Sequence, residues 1–129
     1  MCVLGYTHGR LTSERIRQEH QKSLAYIKYM FDEISGENGE DKNIIIVVTH
    51  HHPTLQTNIG SRYNNPVMIN LYHSDLDWLI EKYHPKYWIC GHTHESTSVQ
   101  IGDTLVVANC RGYAHDLDSG FNDMLTLSI

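Results

Sequence analysis

Two short apolar runs, each followed by histidines, constrain this chain more than any other feature. Residues 44–48 read Ile-Ile-Ile-Val-Val, and residues 87–90 read Tyr-Trp-Ile-Cys. A continuous β-branched run is typical of a strand buried on both faces of a parallel sheet, and an apolar run that ends in a glycine is typical of a short buried strand. We therefore predict strands over residues 44–48 and 87–90, with Gly91 allowing a sharp turn after the second.

The segment between the two strands predicts a helix over residues 70–82, because apolar residues recur there at helical spacing and Pro85 ends it. A strand, a helix and a second strand form a βαβ unit, so the two strands should be parallel, adjacent or nearly so, and joined by a right-handed crossover. The histidines after each strand then meet at one edge of the sheet. Open α/β sheets place their ligand sites at this edge.

Further elements are predicted outside the βαβ unit. A helix capped by Thr12 or Ser13 runs to about Ile34. Residues 96–101 and 104–108 alternate on either side of a Gly-Asp pair, which predicts a β-hairpin, and residues 124–128 predict a final strand. The large aromatic residues of the helices are expected in the core rather than in a binding stripe: Tyr26, Tyr29, Phe31 and Trp78.

Composition narrows the class of protein. The 129 residues are most simply one domain, residues 1–129, and the formal net charge of −5 argues against binding to duplex nucleic acid. No apolar run approaches the ~20 residues that span a bilayer, and the first residues do not form a signal peptide. Three cysteines without paired spacing indicate a reducing compartment. We expect a cytoplasmic protein that does not associate with membranes.

Histidine is the unusual residue of this composition, since half of the ten histidines follow the two predicted strands. Imidazoles at the carboxyl ends of two buried parallel strands predict a metal site, and we assign His50, His92 and His94 to it. Of His51 and His52, one would contact substrate and the other would point away. The remaining histidines are better explained singly as solvated or hydrogen-bonded side chains: His8, His20, His73, His84 and His115.

The spacing of His92 and His94 leaves two arrangements open. An extended backbone puts both rings on one side, whereas a bent turn splays them toward two ions. Hydrolases with two metal ions hold them ~3.5–4 Å apart, bind a phosphate oxygen between them and activate a water to attack phosphorus. Imidazole suits manganese, iron, zinc and nickel alike, so the divalent metal is open.

Three further residues are candidates for supporting roles. Arg62 and Arg111 lie in loops on the side of the proposed site, where each could clamp a phosphate, although a solvated surface role explains each equally well. Asn109 ends a strand and could either hydrogen-bond a metal ligand or form a turn.

Two motifs carry a resemblance to a known family. Ile-Val-Val-Thr-His-His-His-Pro at residues 46–53, together with Gly-His-Thr-His at residues 91–94, resembles the calcineurin-like metallophosphoesterases, and in particular the carboxyl-terminal half of a bacterial-type single-domain member. Supporting similarity extends over most of the chain, from about residue 12 to 129. The resemblance implies an α/β chain that forms part of a four-layer αββα sandwich. It also implies hydrolysis of phosphomonoesters or phosphodiesters at a dinuclear metal site.

The resemblance also implies roles for individual residues. His50 resembles the strand-end ligand of the second metal, with His51 as the alternative if the register slips by one. His92 resembles another ligand of that metal, and His94 a ligand of the first. The cofactors implied are divalent metal ions, and the partner implied is a phosphate ester substrate.

The family's amino-terminal motifs are not found in this sequence. An Asp-x-His pair, a bridging aspartate and an Asn-His dyad normally come first, whereas residues 7–9 read Thr-His-Gly. We therefore expect the chain to act with a missing amino-terminal half or a homo-oligomer partner. One alternative is a non-catalytic metal-binding or interaction module that holds one ion on the three assigned histidines and binds a partner at an exposed sheet edge. Another is a remnant without function, which predicts poor solubility.

Overall fold

The structure, a computed structural model, describes residues 12–36, 43–58, 69–115 and 118–129. The chain divides into two units, one of residues Cys2–Asn43 and one of Ile44–Ile129 together with Met1. Among the described residues, no helix is both long and apolar enough to cross a membrane.

Helix α1 (Ser13–Gly36) belongs to the first unit and begins where the sequence predicts. The Thr12 hydroxyl accepts a hydrogen bond of 3.2 Å from the backbone N–H of Arg15, which satisfies one free donor of the first turn. Tyr26 and Tyr29 are 64% and 57% exposed, so their predicted place in the core was wrong. Helical periodicity is the reason, because it turns both side chains away from the face that Phe31 shares with the other sheltered apolar residues, namely Leu24, Ile27 and Ile34.

A four-stranded sheet is the framework of the second unit. Its strands are β1 (Ile46–Val48), β2 (Tyr87–Cys90), β3 (Thr97–Ile101) and β4 (Thr104–Ala108), in the order β1-β2-β4-β3. β2 lies between β1 and β4 and is parallel to both, while β3 runs antiparallel to β4. The predicted parallel pairing of neighbouring strands and the mixed α/β class are therefore confirmed. The four-layer sandwich stays a prediction.

The first strand differs from its prediction in length and burial. β1 begins at Ile46 rather than Ile44, and it is a terminal strand of the described sheet. Ile46 and Val48 are 40% and 65% exposed. The expectation of a strand buried on both faces was therefore wrong. A β-branched run indicates a strand, but its burial depends on which elements cover that strand.

The connection between β1 and β2 holds a shorter helix than predicted. Two 3₁₀ turns (Leu55–Asn58 and Ile69–Leu71) precede helix α2, which spans only Asp77–Tyr83. Leu79 and Ile80 of α2 are fully buried, as predicted, whereas Trp78 is 46% exposed and its predicted place in the core was wrong. Ahead of α2, the chain pairs with the segment after β1, through a parallel bridge between His52 and His73.

The predicted hairpin is confirmed, and the predicted final strand is not. β3 and β4 pair from Thr97 with Ala108 to Ile101 with Thr104, and Gly102 takes a positive φ of 54° in the turn. Residues 124–128 alternate in sequence but form no strand, and Met124 is 79% exposed. This segment is fixed instead by a contact with β2, since the Tyr87 hydroxyl donates to the carbonyl oxygen of Ser128.

Candidate functional site

The carboxyl ends of three parallel strands meet at one edge of the sheet. β1 leads into His50–His52, β2 into His92–His94, and β4 into Asn109–Arg111. The pairing of β1 with β2 continues beyond the strands, because Thr49 donates to the carbonyl oxygen of Ile89 and Gly91 donates to that of His50, each over 3.0 Å. The backbones that carry the histidines are therefore held side by side.

Three imidazole rings form a cluster at this edge. The ring centroid of His92 lies 4.6 Å from that of His50 and 4.6 Å from that of His51, and the His50 and His51 centroids are 5.2 Å apart. The Tyr72 ring borders the cluster, 5.0 Å from His92. Of the three predicted ligands, the structure thus brings His50 and His92 together, and His51 joins them.

Residues 91–94 form a bent turn rather than an extended segment. His92 and His94 have positive φ angles of 75° and 55°, whereas Gly91 does not. The histidines themselves therefore make the turn that the sequence predicted for Gly91. The left-handed region costs a residue other than glycine about 1–3 kcal/mol, and such strain is concentrated at functional sites.

The bent turn sends the two rings in different directions. His92 faces the imidazole cluster, whereas the His94 ring packs edge-on against Tyr113, with centroids 4.2 Å apart. Tyr113 in turn stacks with His115, at 5.4 Å and an angle of 13°. Of the two arrangements that the sequence left open, the structure thus has the bent turn with splayed rings.

His52 points away from the cluster and is buried, with 1% of its surface exposed. Its Nδ1 lies 2.8 Å from the hydroxyl of Thr57, and its Nε2 lies 3.1 Å from the hydroxyl of Thr93. Burial, with a contribution from the neighbouring His73, lowers the pKa of His52 to about 4. The ring is therefore neutral at pH 7, and both of its nitrogens have partners.

His73 lies beside His52 and has a different environment. The two ring centroids are 4.9 Å apart, and His73 is 4% exposed. Neither ring nitrogen of His73 has a hydrogen-bond partner within the structure as described. Burial lowers the pKa of His73, and an interaction with the backbone of Ile69 opposes this shift in part.

The surroundings of His92 favour its neutral form. Burial lowers the pKa of His92 to about 4, and the neighbouring rings of His51 and His50 add to this effect. The backbone carbonyl of Leu71 interacts with the His92 ring and opposes the shift in part. Neutral imidazole is the form that binds metal, and a backbone carbonyl on one nitrogen is a usual way to orient a metal-binding histidine.

The separations of the rings fit metal binding, but a complete set of ligands is not assembled. Imidazoles bound to one ion at ~2.0–2.1 Å have ring centroids roughly 4.5–5.2 Å apart, and the separations within the cluster lie close to this range. Within the described ranges, however, no group of three or more histidine, cysteine, aspartate or glutamate residues is arranged to hold a metal ion. Imidazole is a metal-binding side chain, but these rings do not form a complete metal site within the described structure.

The other predicted candidates are spread around this edge. Arg111 is exposed and, with Gly112, Tyr113 and Ala114, lines a groove of about 440 Å³. The Asn109 side chain braces the loop after β4, since it accepts from the backbone N–H of Asn122 at 2.9 Å and donates to the Asn122 carbonyl oxygen at 2.7 Å. Arg62 lies outside the described residues.

Sequence reasoning did not find Tyr72, Thr93 or Tyr113, which contact the candidate histidines. Tyr72 was placed inside a predicted helix. Ser74 and Asp75, which are residue types common just before a helix, were the available signal that α2 begins later than residue 70. Thr93 and Tyr113 had no such signal, because their contacts cross between segments that are distant in sequence.

Comparison with known proteins decides the family. The family model of the calcineurin-like phosphoesterases matches residues 4–96, which is more than half of the 129-residue chain and includes both histidine-bearing strand ends. This chain is a member of the calcineurin-like phosphoesterase family. Its mixed α/β fold with a four-stranded sheet is consistent with this family, and the predicted family is confirmed. No curated protein and no solved structure matched the chain.

Proposed function

We propose that this member of the calcineurin-like phosphoesterase family provides the histidine side of a metal-dependent site that hydrolyses phosphomonoesters or phosphodiesters. One observation carries the proposal: the rings of His50, His51 and His92 meet at the carboxyl ends of two adjacent parallel strands. The left-handed backbone of His92 and of His94, on either side of Thr93, supports it, because such strain is concentrated at functional sites.

The chain's own residues would divide the work as follows. His50 and His92 would hold one divalent ion, with His51 as the alternative to His50, and His94 would hold a second on the side of Tyr113. Manganese, iron, zinc and nickel all suit these ligands. When bound, such ions neutralise charge on the phosphate and lower the pKa of a water. Arg111, which lines the neighbouring groove, would bind an oxygen of the phosphate ester.

Hydrolysis would need ligands beyond these imidazoles. We propose that carboxylates join the site from a segment outside the described residues, either from an additional amino-terminal half or from a homo-oligomer partner. β1 is the terminal strand of the described sheet on the side of His50. A further parallel strand paired with β1 would end next to that histidine.

A second candidate function is a non-catalytic module that binds one ion. It is favoured by one observation, namely that β1 is the terminal strand of the described sheet and that its Ile46 and Val48 are 40% and 65% exposed. In this case the terminal strand β1 would bind a partner protein through backbone hydrogen bonds.

Metal content separates the two functions. The full chain would be purified without chelator, and metal per chain would be measured by elemental analysis. Control variants would be His92→Ala/His94→Ala, which removes candidate ligands, and His20→Ala, which removes an exposed histidine of α1. Two ions per chain, lost only in the double variant, together with hydrolysis of p-nitrophenyl phosphate or its diester, would support the phosphoesterase. One ion without hydrolysis would support the module. No metal would contradict the module and would mean that these imidazoles do not hold an ion without the added carboxylates.

A further inference from the structure

His52 connects two segments that both bear candidate ligands. Its backbone is fixed on one side, where its N–H donates to the carbonyl oxygen of Tyr72 over 3.0 Å and its own carbonyl accepts from Ser74 over 2.8 Å. Its ring then reaches across the site edge to the hydroxyl of Thr93, 41 residues away in sequence. His52, which directly follows His51, is thus tied to the turn that carries His92 and His94.

Thr93 is the central residue of that turn. It is 3% exposed, and it lies between His92 and His94, both of which have left-handed backbone. The backbone N–H of Thr93 donates to the carbonyl oxygen of Gly91 over 3.0 Å. Since the conformations on either side of Thr93 are unfavourable, a contact that fixes Thr93 also fixes the directions of both histidine rings.

The other nitrogen of His52 is equally constrained. Its Nδ1 lies 2.8 Å from the Thr57 hydroxyl, which donates in turn to the carbonyl oxygen of Thr54 over 3.0 Å. Thr54 and Thr57 are buried. Because the single proton of the Thr57 hydroxyl goes to Thr54, the neutral His52 ring carries its proton on Nδ1 and accepts at Nε2 from the Thr93 hydroxyl. The result is a fully partnered buried polar network that ends at the turn.

We propose that His52 is a positioning residue, which holds His92 and His94 in the directions required for ligands through its hydrogen bond to Thr93. This inference rests on the proposed function, because it gives a purpose to the directions of the two rings. His52 does not bind metal or substrate itself, since Thr57 and Thr93 occupy its two nitrogens.

A purely structural role is the competing explanation. A buried imidazole can fill space and stabilise a loop without affecting the neighbouring rings. Replacing His52 would not separate the two explanations, because a cavity or an orphaned hydroxyl would destabilise the chain in either case. Changing Thr93 is more discriminating. Thr93→Val removes the hydroxyl with little change of shape, and Thr93→Ser keeps the hydroxyl.

Thr104 provides a matched control. It is fully buried at the amino end of β4, and its hydroxyl has no hydrogen-bond partner within the described structure. Thr104→Val therefore repeats the chemical change of Thr93→Val at the end of the strand away from the histidines. Any effect found in Thr93→Val but not in Thr104→Val comes from loss of the Thr93 hydroxyl, which lies 3.1 Å from His52 Nε2 and, more distantly, 3.4 Å from the Glu95 carbonyl oxygen.

Two measurements on the full chain test the proposal. The first is the NMR spectrum of the histidine rings in metal-free protein, with His92 and His94 assigned from single His→Gln variants. The second is the affinity for Co²⁺, measured by calorimetry at pH 7.5. We expect Thr93→Val to shift or broaden the His92 and His94 signals and to weaken Co²⁺ binding by about 10–100-fold. Thr93→Ser and Thr104→Val should resemble the wild type in both.

The outcomes separate the two proposals. Unchanged His92 and His94 signals in Thr93→Val would overturn the positioning role, even if that variant were less stable. The positioning role would be supported if the His92 and His94 signals shifted in Thr93→Val and stayed at their wild-type positions in Thr93→Ser. If the wild type bound no Co²⁺ or other divalent ion, these histidines would not hold metal in the isolated chain, and the ring signals alone would decide the role of His52.

Discussion

Gly91 donates its backbone N–H to the carbonyl oxygen of His50 over 3.0 Å, so the pairing of β1 with β2 continues into the histidines. The last paired residues within the strands are Val48 and Ile89. This extension places the residues after each strand at a fixed separation. The imidazole cluster is therefore attached to the sheet by backbone hydrogen bonds and not only by ring contacts.

Gly91→Ala should be tolerated, although the glycine stands between a strand and a candidate ligand. A Cβ at this position would meet the Cys110 sulfur and the His50 carbonyl oxygen at 3.9 Å, which is ordinary contact, and Gly91 has no positive φ. We expect a change of about 0.5 kcal/mol or less in the free energy of unfolding, measured in urea.

Gly120→Ala is the matched comparison. Gly120 has a φ of +70°, and its Cβ would lie 3.4 Å from the Cβ of Ser96. We expect a loss of about 1–2 kcal/mol in the same measurement. A larger loss for Gly91→Ala than for Gly120→Ala would show that the turn after β2 depends on glycine.

Replacing His92 should reveal the strain of its backbone. Because its φ is 75°, glycine fits this position better than alanine. We expect His92→Gly to be more stable than His92→Ala by about 0.5–1 kcal/mol, after allowing for the greater freedom of glycine in the unfolded chain. At His50, where φ is not positive, the order should reverse. If the glycine variant were the more stable one at both His92 and His50, the result would contradict backbone strain specific to His92.

The stability of the chain should fall in acid in part because of His73. Its pKa is lowered in the folded state by burial, so the unfolded chain takes up a proton first as pH decreases. Its contribution to the free energy of unfolding is therefore complete above the unfolded pKa of about 6.5 and is lost as pH falls below that value. His52 is the titratable side chain whose ring packs against that of His73.

The test of this pH dependence is His73→Leu, unfolded in urea at pH 7.5 and 5.5 in the presence of chelator. One extra proton taken up on unfolding changes the free energy by at most about 1.4 kcal/mol per pH unit. The variant should lose less stability between the two pH values than the wild type. It should be no less stable at pH 7.5, since it removes two buried nitrogens without partners. An unchanged pH dependence would contradict the assignment.

Cys90 should be inert in the folded chain. Burial raises the pKa of its thiol to about 12, and the nearby Cys110 adds to this shift. In a Cys2→Ser/Cys110→Ser variant at pH 8, the thiolate fraction of Cys90 would stay far below that of an ordinary thiol, because burial, the larger cause of the raised pKa, is retained. We expect alkylation by iodoacetamide to be slower than in urea-unfolded protein by at least 100-fold. Comparable rates in both states would indicate an exposed thiol.

The elements that depend on local chemistry could be predicted from the sequence. β2 and the hairpin of β3 and β4 lie where the apolar runs and the Gly102 turn place them. The two apolar runs that lead into histidines also correctly predicted neighbouring parallel strands, and hence the approach of His50 to His92. These predictions needed only strand periodicity and the rule for βαβ units.

What failed depended on neighbours that no local pattern encodes. The exposure of Val48 follows from the terminal position of β1, and residues 124–128 alternate without a strand to pair with. The start of α2 was predicted too early, because the chain before it pairs with His52 instead. The direction of each histidine ring likewise depends on contacts such as that of His52 with Thr93, which join distant segments.

The short length of β1 has a consequence for how the cluster is lost. β1 is attached to β2 through the pairs Ile46–Tyr87, Val47–Trp88 and Val48–Ile89, whereas β2, β4 and β3 are bound by longer ladders. Short, exposed elements open at a lower free energy than the core does. Amide hydrogen exchange should therefore be faster in β1 than in β4. His50 and His51 can then separate from His92 while the rest of the sheet stays folded.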